Sequence, residues 1–242
     1  MKRDVERSLE QFAADMESAA GSALLSIVLY GSGATGQHVP GKSDLNLLVV
    51  LNEVTLPLLS RHQKQIAQWN KGGISTPLFV DGSFLPTSTD SYPLEILGML
   101  SAYRVVRGGD PLAGLKVNPG DARLQSEREI KAKKLLLRRG YLESHGKEAH
   151  LRRVLAAAVP AVEAILRGML FVGGGEWHAQ GAAFRAACAA GLAVDPKTLE
   201  DLRSLRVGRI RPNRDAVLDL YARTLRMLDG LADRIENESA TT

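Results

Sequence analysis

Hydrophobic positions near the start of the chain follow helical spacing; they are Val5, Leu9, Phe12 and Met16. This period predicts an amphipathic helix over residues 3–20. Two short apolar runs follow, LLSIVLY at 24–30 and DLNLLVVL at 44–51. Both are rich in leucine and β-branched residues and are bounded by polar or glycine-containing segments, so they predict buried strands.

The pattern changes twice more before residue 118. A helix is marked by Leu58, Leu59, Ile66 and Trp69, and the sequence NKGG at 70–73 ends it. Extended segments are predicted at 75–80 (STPLFV) and 92–100 (YPLEILGML). The stretch 102–108 predicts a last strand before the turn GGDP.

From residue 121 onward the apolar period is helical. Long helices are predicted over 122–144 and 150–172, the second with a kink at Pro160, and further helices over 176–190, 196–206 and 213–237. The fold class is therefore an α/β domain with a mixed sheet, over 1–118, followed by an all-α helical-bundle domain, over 119–242.

Composition narrows the function classes. Of the 242 residues, 45% are hydrophobic and 24% charged, and the net charge is +4, which suits anionic ligands. The amino terminus is charged and no run of about 18 uninterrupted apolar residues occurs, so no membrane partner and a cytoplasmic location are expected. Aromatic residues make up 5% of the chain, too few to favour base stacking, so a nucleic-acid partner is not expected.

The single cysteine, Cys188, is predicted to be a buried thiol.

Two phosphate-binding patterns overlap after the first strand. Residues Gly36 to Ser43 spell the Walker A pattern, G-x-x-x-x-G-K-S. A P-loop lies directly between a strand and a helix, but the first strand ends at Tyr30 and a strand-like run follows Ser43. The Walker pattern is therefore interpreted as coincidental.

The second pattern agrees with its surroundings. Gly31 allows close approach of the backbone to a phosphate, and Ser32 can donate its hydroxyl to a phosphate oxygen. Asp44 and Asn46 follow in the sequence SDLN, and residues two apart on a strand share one face. Two carboxylates at such positions would hold a pair of Mg²⁺ ions, which polarise the α-phosphate and activate an attacking hydroxyl.

GSGATG together with SDLNLLVV resembles the DNA polymerase β superfamily of nucleotidyltransferases, in particular the two-domain bacterial members related to aminoglycoside nucleotidyltransferases. The segment YPLEILGMLSAYRVVRGGDPLAGL is similar to the region around the family's third acidic strand, and RLQSEREIKAKKLLLRRGYL to its helical half. The resemblance implies a mixed sheet followed by a helical bundle that helps to form the substrate cleft.

The resemblance also implies an activity and a site. The protein would transfer a nucleoside monophosphate from ATP or another nucleoside triphosphate to a hydroxyl of a small molecule or a protein, with Mg²⁺ as cofactor. Gly31, Ser32, Lys42 and Ser43 are the expected nucleotide-binding residues. Asp44, Asn46 and Glu95 occupy catalytic positions, and Asp44 and Glu95 are the expected metal ligands, with Asp81 and Asp90 as weaker candidates for the third acid.

Asn46 departs from the family pattern, which has Asp there. An amide oxygen can ligate Mg²⁺ but carries no charge and does not bridge two cations as a carboxylate does. Three explanations remain open: an inactive nucleotide-binding or regulatory protein; an unusual transferase in which Lys42 or an arginine replaces one metal; or an engineered substitution that traps substrate.

Other features carry less weight. His38 lies in the loop between the two halves of the motif and is expected to be exposed. The histidines show no spacing that would form a zinc site with Cys188. The basic stretch 128–153 is predicted to be a solvated helix face, with a cleft lining as the alternative. Trp177 and Phe171 are expected to be buried in the bundle, whose apolar faces could also serve a homodimer.

Overall fold

The computed structural model describes residues 2–36 and 44–239. The chain divides into two compact units. The N-terminal unit comprises Met1–Thr89 and Gly98–Lys116, and the helical unit comprises Asp90–Leu97 and Val117–Thr242. The segment Asp90–Leu97 thus belongs with the helical residues.

Four strands form one mixed sheet in the N-terminal unit: β1 Leu24–Tyr30, β2 Asn46–Leu51, β3 Leu78–Asp81 and β4 Tyr103–Gly108. Their order is β3-β2-β1-β4. β1 pairs antiparallel with both β2 and β4, whereas β2 and β3 are parallel. The two most apolar strands of the sequence therefore lie in the centre of the sheet, where both faces are covered.

Side-chain alternation along the central strands supplies two separate cores. Ile27 and Leu29 belong to one cluster, with Leu47 and buried residues of the first helix such as Phe12. The intervening positions of β1 and β2 belong to a second cluster on the opposite face; its buried members are Val28, Leu48, Val50, Leu85, Met99 and Leu112. Residue 46 shares the second face with Leu48 and Val50.

Nine α-helices accompany the sheet in the described residues; they are α1 Lys2–Ala20, α2 Leu56–Lys71, α3 Phe84–Thr87, α4 Pro93–Leu100, α5 Pro119–Glu143, α6 Glu148–Val172, α7 Gly181–Leu192, α8 Pro196–Arg206 and α9 Arg214–Ser239. Each of α2, α5 and α8 has proline at its first or second position, after a capping Thr55, Asn118 or Asp195, and this combination favours a helix start there. The predicted fold class, an α/β region followed by a helical one, is confirmed.

One predicted extended segment is wrong. Residues 92–100 contain α4, Pro93–Leu100, rather than a strand. A short apolar run does not distinguish a buried strand from a buried helix by period alone. Here Leu94 and Leu97, three residues apart, are buried in one cluster with Ala122, which is the contact that a helix face makes.

Other boundaries shift by a few residues. β3 covers Leu78–Asp81 rather than 75–80, and α7 begins at Gly181 rather than at 176. α6 continues through Pro160 as one helix. The predictions for α1, β1, α8 and α9 hold to within two residues.

One helix of the described ranges, α6, is long and apolar enough to cross a membrane by length and composition alone. It carries Glu163 and Arg167, and Leu155, Ile165 and Leu166 are fully buried in the core of the helical unit. The core position of these residues accounts for the composition of α6. Cys188 is buried in the same core, as predicted, and burial raises its thiol pKa to about 12.

Candidate nucleotide site

β1 ends in a tight turn, Gly31–Gly33. Gly31 has φ +71°, a backbone region that glycine adopts without steric cost. Its N–H donates to the carbonyl of Ala102 at 2.8 Å, and its own carbonyl accepts from Ala34 N–H at 3.0 Å. The turn is therefore held from both sides, and Ser32 lies half-buried within it.

The first residues of β2 lie next to this turn. Asp44 is exposed and Asn46 is half-buried, while Leu45 between them is fully buried on the opposite face. Leu45 is fixed by its N–H donating to the carbonyl of Gly73 at 2.7 Å and by its carbonyl accepting from Ser75 N–H at 3.1 Å. Asn46 is the partner of Tyr30 in the antiparallel ladder, so Asn46 is adjacent to the residue that precedes Gly31.

The Asn46 amide has a specific orientation. The Ser75 hydroxyl donates to Asn46 Oδ1 at 3.1 Å and also reaches the carbonyl of Leu45 at 3.2 Å. Asn46 Nδ2 is on the Gly31 side, 3.5 Å from the point where a Cβ on Gly31 would lie. Ser75 was not predicted from the sequence. No local pattern marks it, because Ser75 comes alongside Leu45 only through the parallel bridge between Leu45 and Ile74.

Two tyrosines continue the row from Asn46 across the sheet. Tyr30 pairs with Asn46 on one side and with Tyr103 on the other. Burial raises the pKa of Tyr30, and burial, followed by the hydrogen bond to Asp110, raises that of Tyr103. The Tyr103 hydroxyl donates to Asp110 Oδ2 at 3.0 Å. Both phenols stay protonated at neutral pH, so this part of the sheet face carries no negative charge from them.

Glu95, the predicted third carboxylate, lies in the first turn of α4 within the helical unit. Gln125 of α5 holds it: Nε2 donates to Glu95 Oε2 at 2.9 Å, and Oε1 accepts from Leu94 N–H at 2.9 Å. The predicted strand placement of Glu95 is wrong, and its role as a base or metal ligand stays a prediction. Gln125, like Ser75, was not predicted.

The remaining candidates are dispersed. Asp81 pairs with Leu51 at the far end of β2 from Asn46, and its pKa is lowered, first by the Ser83 hydroxyl. Asp90 is exposed in the helical unit. Lys42, Ser43 and His38 lie outside the described residues, and the strand that follows them agrees with the rejection of the Walker pattern.

The basic stretch on α5 and α6 is largely ion-paired within the helical unit. Lys131 contacts Glu127 at 2.7 Å, as predicted, and Lys134 contacts Asp229 at 2.6 Å. Arg152 bridges to Glu148 at 3.0 Å. Lys131 is about half exposed, as expected for a solvated helix face, whereas the side chains of Lys134 and Arg152 are mostly shielded from solvent by the bundle.

The donor set around β2 does not suit a pair of Mg²⁺ ions. Asp44 supplies the only described carboxylate at the start of β2, and Asn46 Oδ1 already accepts a hydrogen bond from Ser75. Across residues 2–36 and 44–239, no three His, Cys, Asp or Glu side chains are grouped so that they could hold a metal ion. Mg²⁺ prefers several hard oxygen ligands in octahedral geometry, and one carboxylate with a neutral amide provides few of them.

The mixed sheet and the helical region that follows it define a nucleotidyltransferase-like fold. A similar solved structure is that of the spectinomycin adenyltransferase AAD(9) from Enterococcus faecialis with ATP and spectinomycin. The TM-score is 0.54 at 12% sequence identity, and the match covers 96% of this chain and 99% of that chain. No family model and no curated protein matches the sequence.

Proposed function

We propose that this chain binds a nucleoside triphosphate, ATP in the first instance, at the turn that follows β1. The observation that carries the proposal is the placement of Asp44 and Asn46 beside the Gly31 turn. It is supported by the likeness of the fold to that of an adenyltransferase whose structure was solved with ATP. Ser32, Lys42 and Ser43 are the further side chains proposed to contact the triphosphate.

We propose that the bound nucleotide is not transferred by a two-metal route. Two divalent cations held close together need bridging negative charge, and Asn46 supplies none. Metal charge carries most of the transition-state stabilisation in phosphoryl transfer, so its loss slows the chemical step severely. The protein would then act as a nucleotide-binding or regulatory component.

The retained Asp44 favours a second candidate, a slow transferase with a single Mg²⁺. Here a hydroxyl oxygen of a small molecule or protein bonds to the α-phosphorus, the bond to the bridging oxygen breaks, and pyrophosphate leaves. The hydroxyl proton passes to solvent water. Asp44 would hold the cation, which would supply charge for the α-phosphate.

The test is a turnover assay with a panel of hydroxyl acceptors, in which α-labelled ATP follows transfer of the monophosphate to the acceptor and a separate assay measures pyrophosphate release. We expect no release above background from the native chain, and release from Asn46→Asp if a suitable acceptor is present. Asp44→Asn in the Asn46→Asp background is the matched control and should abolish it. Metal-dependent release from the native chain would overturn the binding-only proposal and favour the transferase.

A further inference from the structure

We propose that Asn46 binds a phosphate oxygen of the nucleotide directly, through Nδ2–H, so that ATP binds without a divalent cation. Ser75 is the positioning residue that orients the amide. This inference rests on the proposed function and specifies how the same site recognises its ligand. A position at which the family pattern has a metal ligand would here serve as a hydrogen-bond donor.

The orientation of the amide is the first argument. A hydroxyl donates one hydrogen, and that of Ser75 is directed at Asn46 Oδ1 and shared with the carbonyl of Leu45. Oδ1 is thereby engaged inside the protein. Within residues 2–36 and 44–239 no group accepts a hydrogen bond from Nδ2, so these residues leave both of its hydrogens to another partner, such as solvent or a ligand.

The surroundings of Nδ2 are the second argument. Gly31 lacks a Cβ, and the space that a Cβ would take lies 3.5 Å from Asn46 Nδ2. The Gly31 N–H already donates to Ala102, so this amide does not serve a ligand in the turn. A phosphate that approaches Gly31 therefore needs donors from elsewhere, and the Asn46 amide is adjacent.

Charge is the third argument. Aspartate at position 46 would be an acceptor only and would repel a phosphate unless a cation lay between them. An amide removes that repulsion and offers N–H donors, and hydrogen bonds to charged oxygens are among the stronger ones. Asp44 is exposed, so its remaining repulsion of the triphosphate is screened by solvent. Binding should therefore depend weakly on Mg²⁺.

The experiment is calorimetric titration of the full chain with ATP, once in excess chelator and once in excess Mg²⁺. We expect the native chain to bind in both, with dissociation constants that differ by less than about threefold. Asn46→Asp should weaken binding in chelator by about tenfold or more, because a hydrogen bond to a charged group is replaced by like-charge repulsion. Added Mg²⁺ should restore much of that loss.

Two further variants keep the test specific. Asn52→Asp makes the same chemical change just past the other end of β2, where Asn52 donates to the carbonyl of Ser22, and should leave binding unchanged. Ser75→Ala should weaken binding in chelator several-fold, and Ser75→Thr, which keeps the hydroxyl, should restore it. Circular dichroism of each variant checks that the fold is retained.

The outcomes separate the two proposals. Failure of every variant to bind ATP, with or without Mg²⁺, would overturn the proposed function itself. Binding by the native chain that requires Mg²⁺ would overturn only the direct contact and leave nucleotide binding intact. The side-chain amide signals of Asn46 in a ¹H–¹⁵N spectrum, assigned by their loss in Asn46→Asp, should shift on addition of ATP in chelator, and their failure to shift would contradict the contact.

Discussion

Arg223 in the helical unit and Asn46 in the N-terminal unit are both partly buried polar residues, but their surroundings differ. Arg223 donates to Asp201, Asp219 and Thr198, with contacts of 2.8, 2.8 and 2.9 Å. Among the residues that the structure describes, the Asn46 amide is hydrogen-bonded through its oxygen only. A polar group that is hydrogen-bonded within the protein through each of its nitrogens stabilises the fold, whereas a group with a nitrogen left over is available to a ligand.

The largest expected effect is the loss of stability when Arg223 is replaced. Arg223→Ala leaves Asp201 without its closest cationic partner, and the side chains of both residues are about four-fifths shielded from solvent. We expect a loss of about 2–3 kcal/mol in the free energy of unfolding, measured by urea denaturation. Arg104→Ala, which removes an exposed pair with Glu6, should cost less than about 1 kcal/mol. Equal losses would break the comparison.

The next largest effect is expected from changing the shape of the turn at Gly31. Gly31→Ala places a Cβ at φ +71°, which should cost about 1–3 kcal/mol of stability. The new methyl group would also fill the space beside Asn46 Nδ2, so ATP affinity should fall in calorimetry. Gly230→Ala, in an open position on α9, is the control and should be neutral or slightly stabilising. Unchanged ATP affinity in Gly31→Ala would remove the turn from the site.

A smaller loss of stability is expected at acid pH, from two carboxylates of the helical unit. The pKa of Asp195 is lowered, first by the Thr198 hydroxyl. For Asp201 burial raises the pKa, but the hydrogen bonds from Arg223 and Lys197 outweigh it and the pKa is lowered. Both carboxylates therefore stabilise the fold above their unfolded pKa of about 3.9, and this contribution is lost as pH falls through the lower folded values.

Asp195→Asn tests that sign. The amide oxygen can still cap α8 through the N–H groups of Lys197 and Thr198, so the helix start is kept. The acid-induced loss of stability, followed by thermal unfolding below about pH 4, should become shallower than in the native chain. An unchanged acid slope would show that Asp195 contributes nothing to it.

The smallest expected effect is the reaction of Cys188 with a thiol reagent. Cys188 is fully buried, and burial raises its thiol pKa to about 12. We expect no reaction with a thiol reagent at pH 8 until the chain is unfolded, because the thiolate is the reactive form. Rapid labelling of the native chain would show that the helical core opens readily, and would weaken the contrast with the N-terminal site.

Local patterns predicted much of this fold. The periods of α1 and α8 and the apolar runs of β1 and β2 are each read from neighbouring residues, and these elements were found where expected. The segment 92–100 was not, because burial of Leu94 against Ala122 is a tertiary contact that a short apolar run does not encode. The same limit applies to the site: Gly31 and Asn46 stand in a recognisable pattern, whereas the contact of Ser75 with Asn46 spans 29 positions and depends on strand pairing.

The pairing of β1 with both β2 and β4 also bears on the order of folding. β1 can pair with β2 early in synthesis, but its other edge stays open until the strand ending at Gly108 has been made. Contacts between distant segments form late because their loop closure is entropically costly. Gly31 donates to Ala102, just before β4, so we expect the turn at Gly31 to acquire its final shape among the last parts of the N-terminal unit.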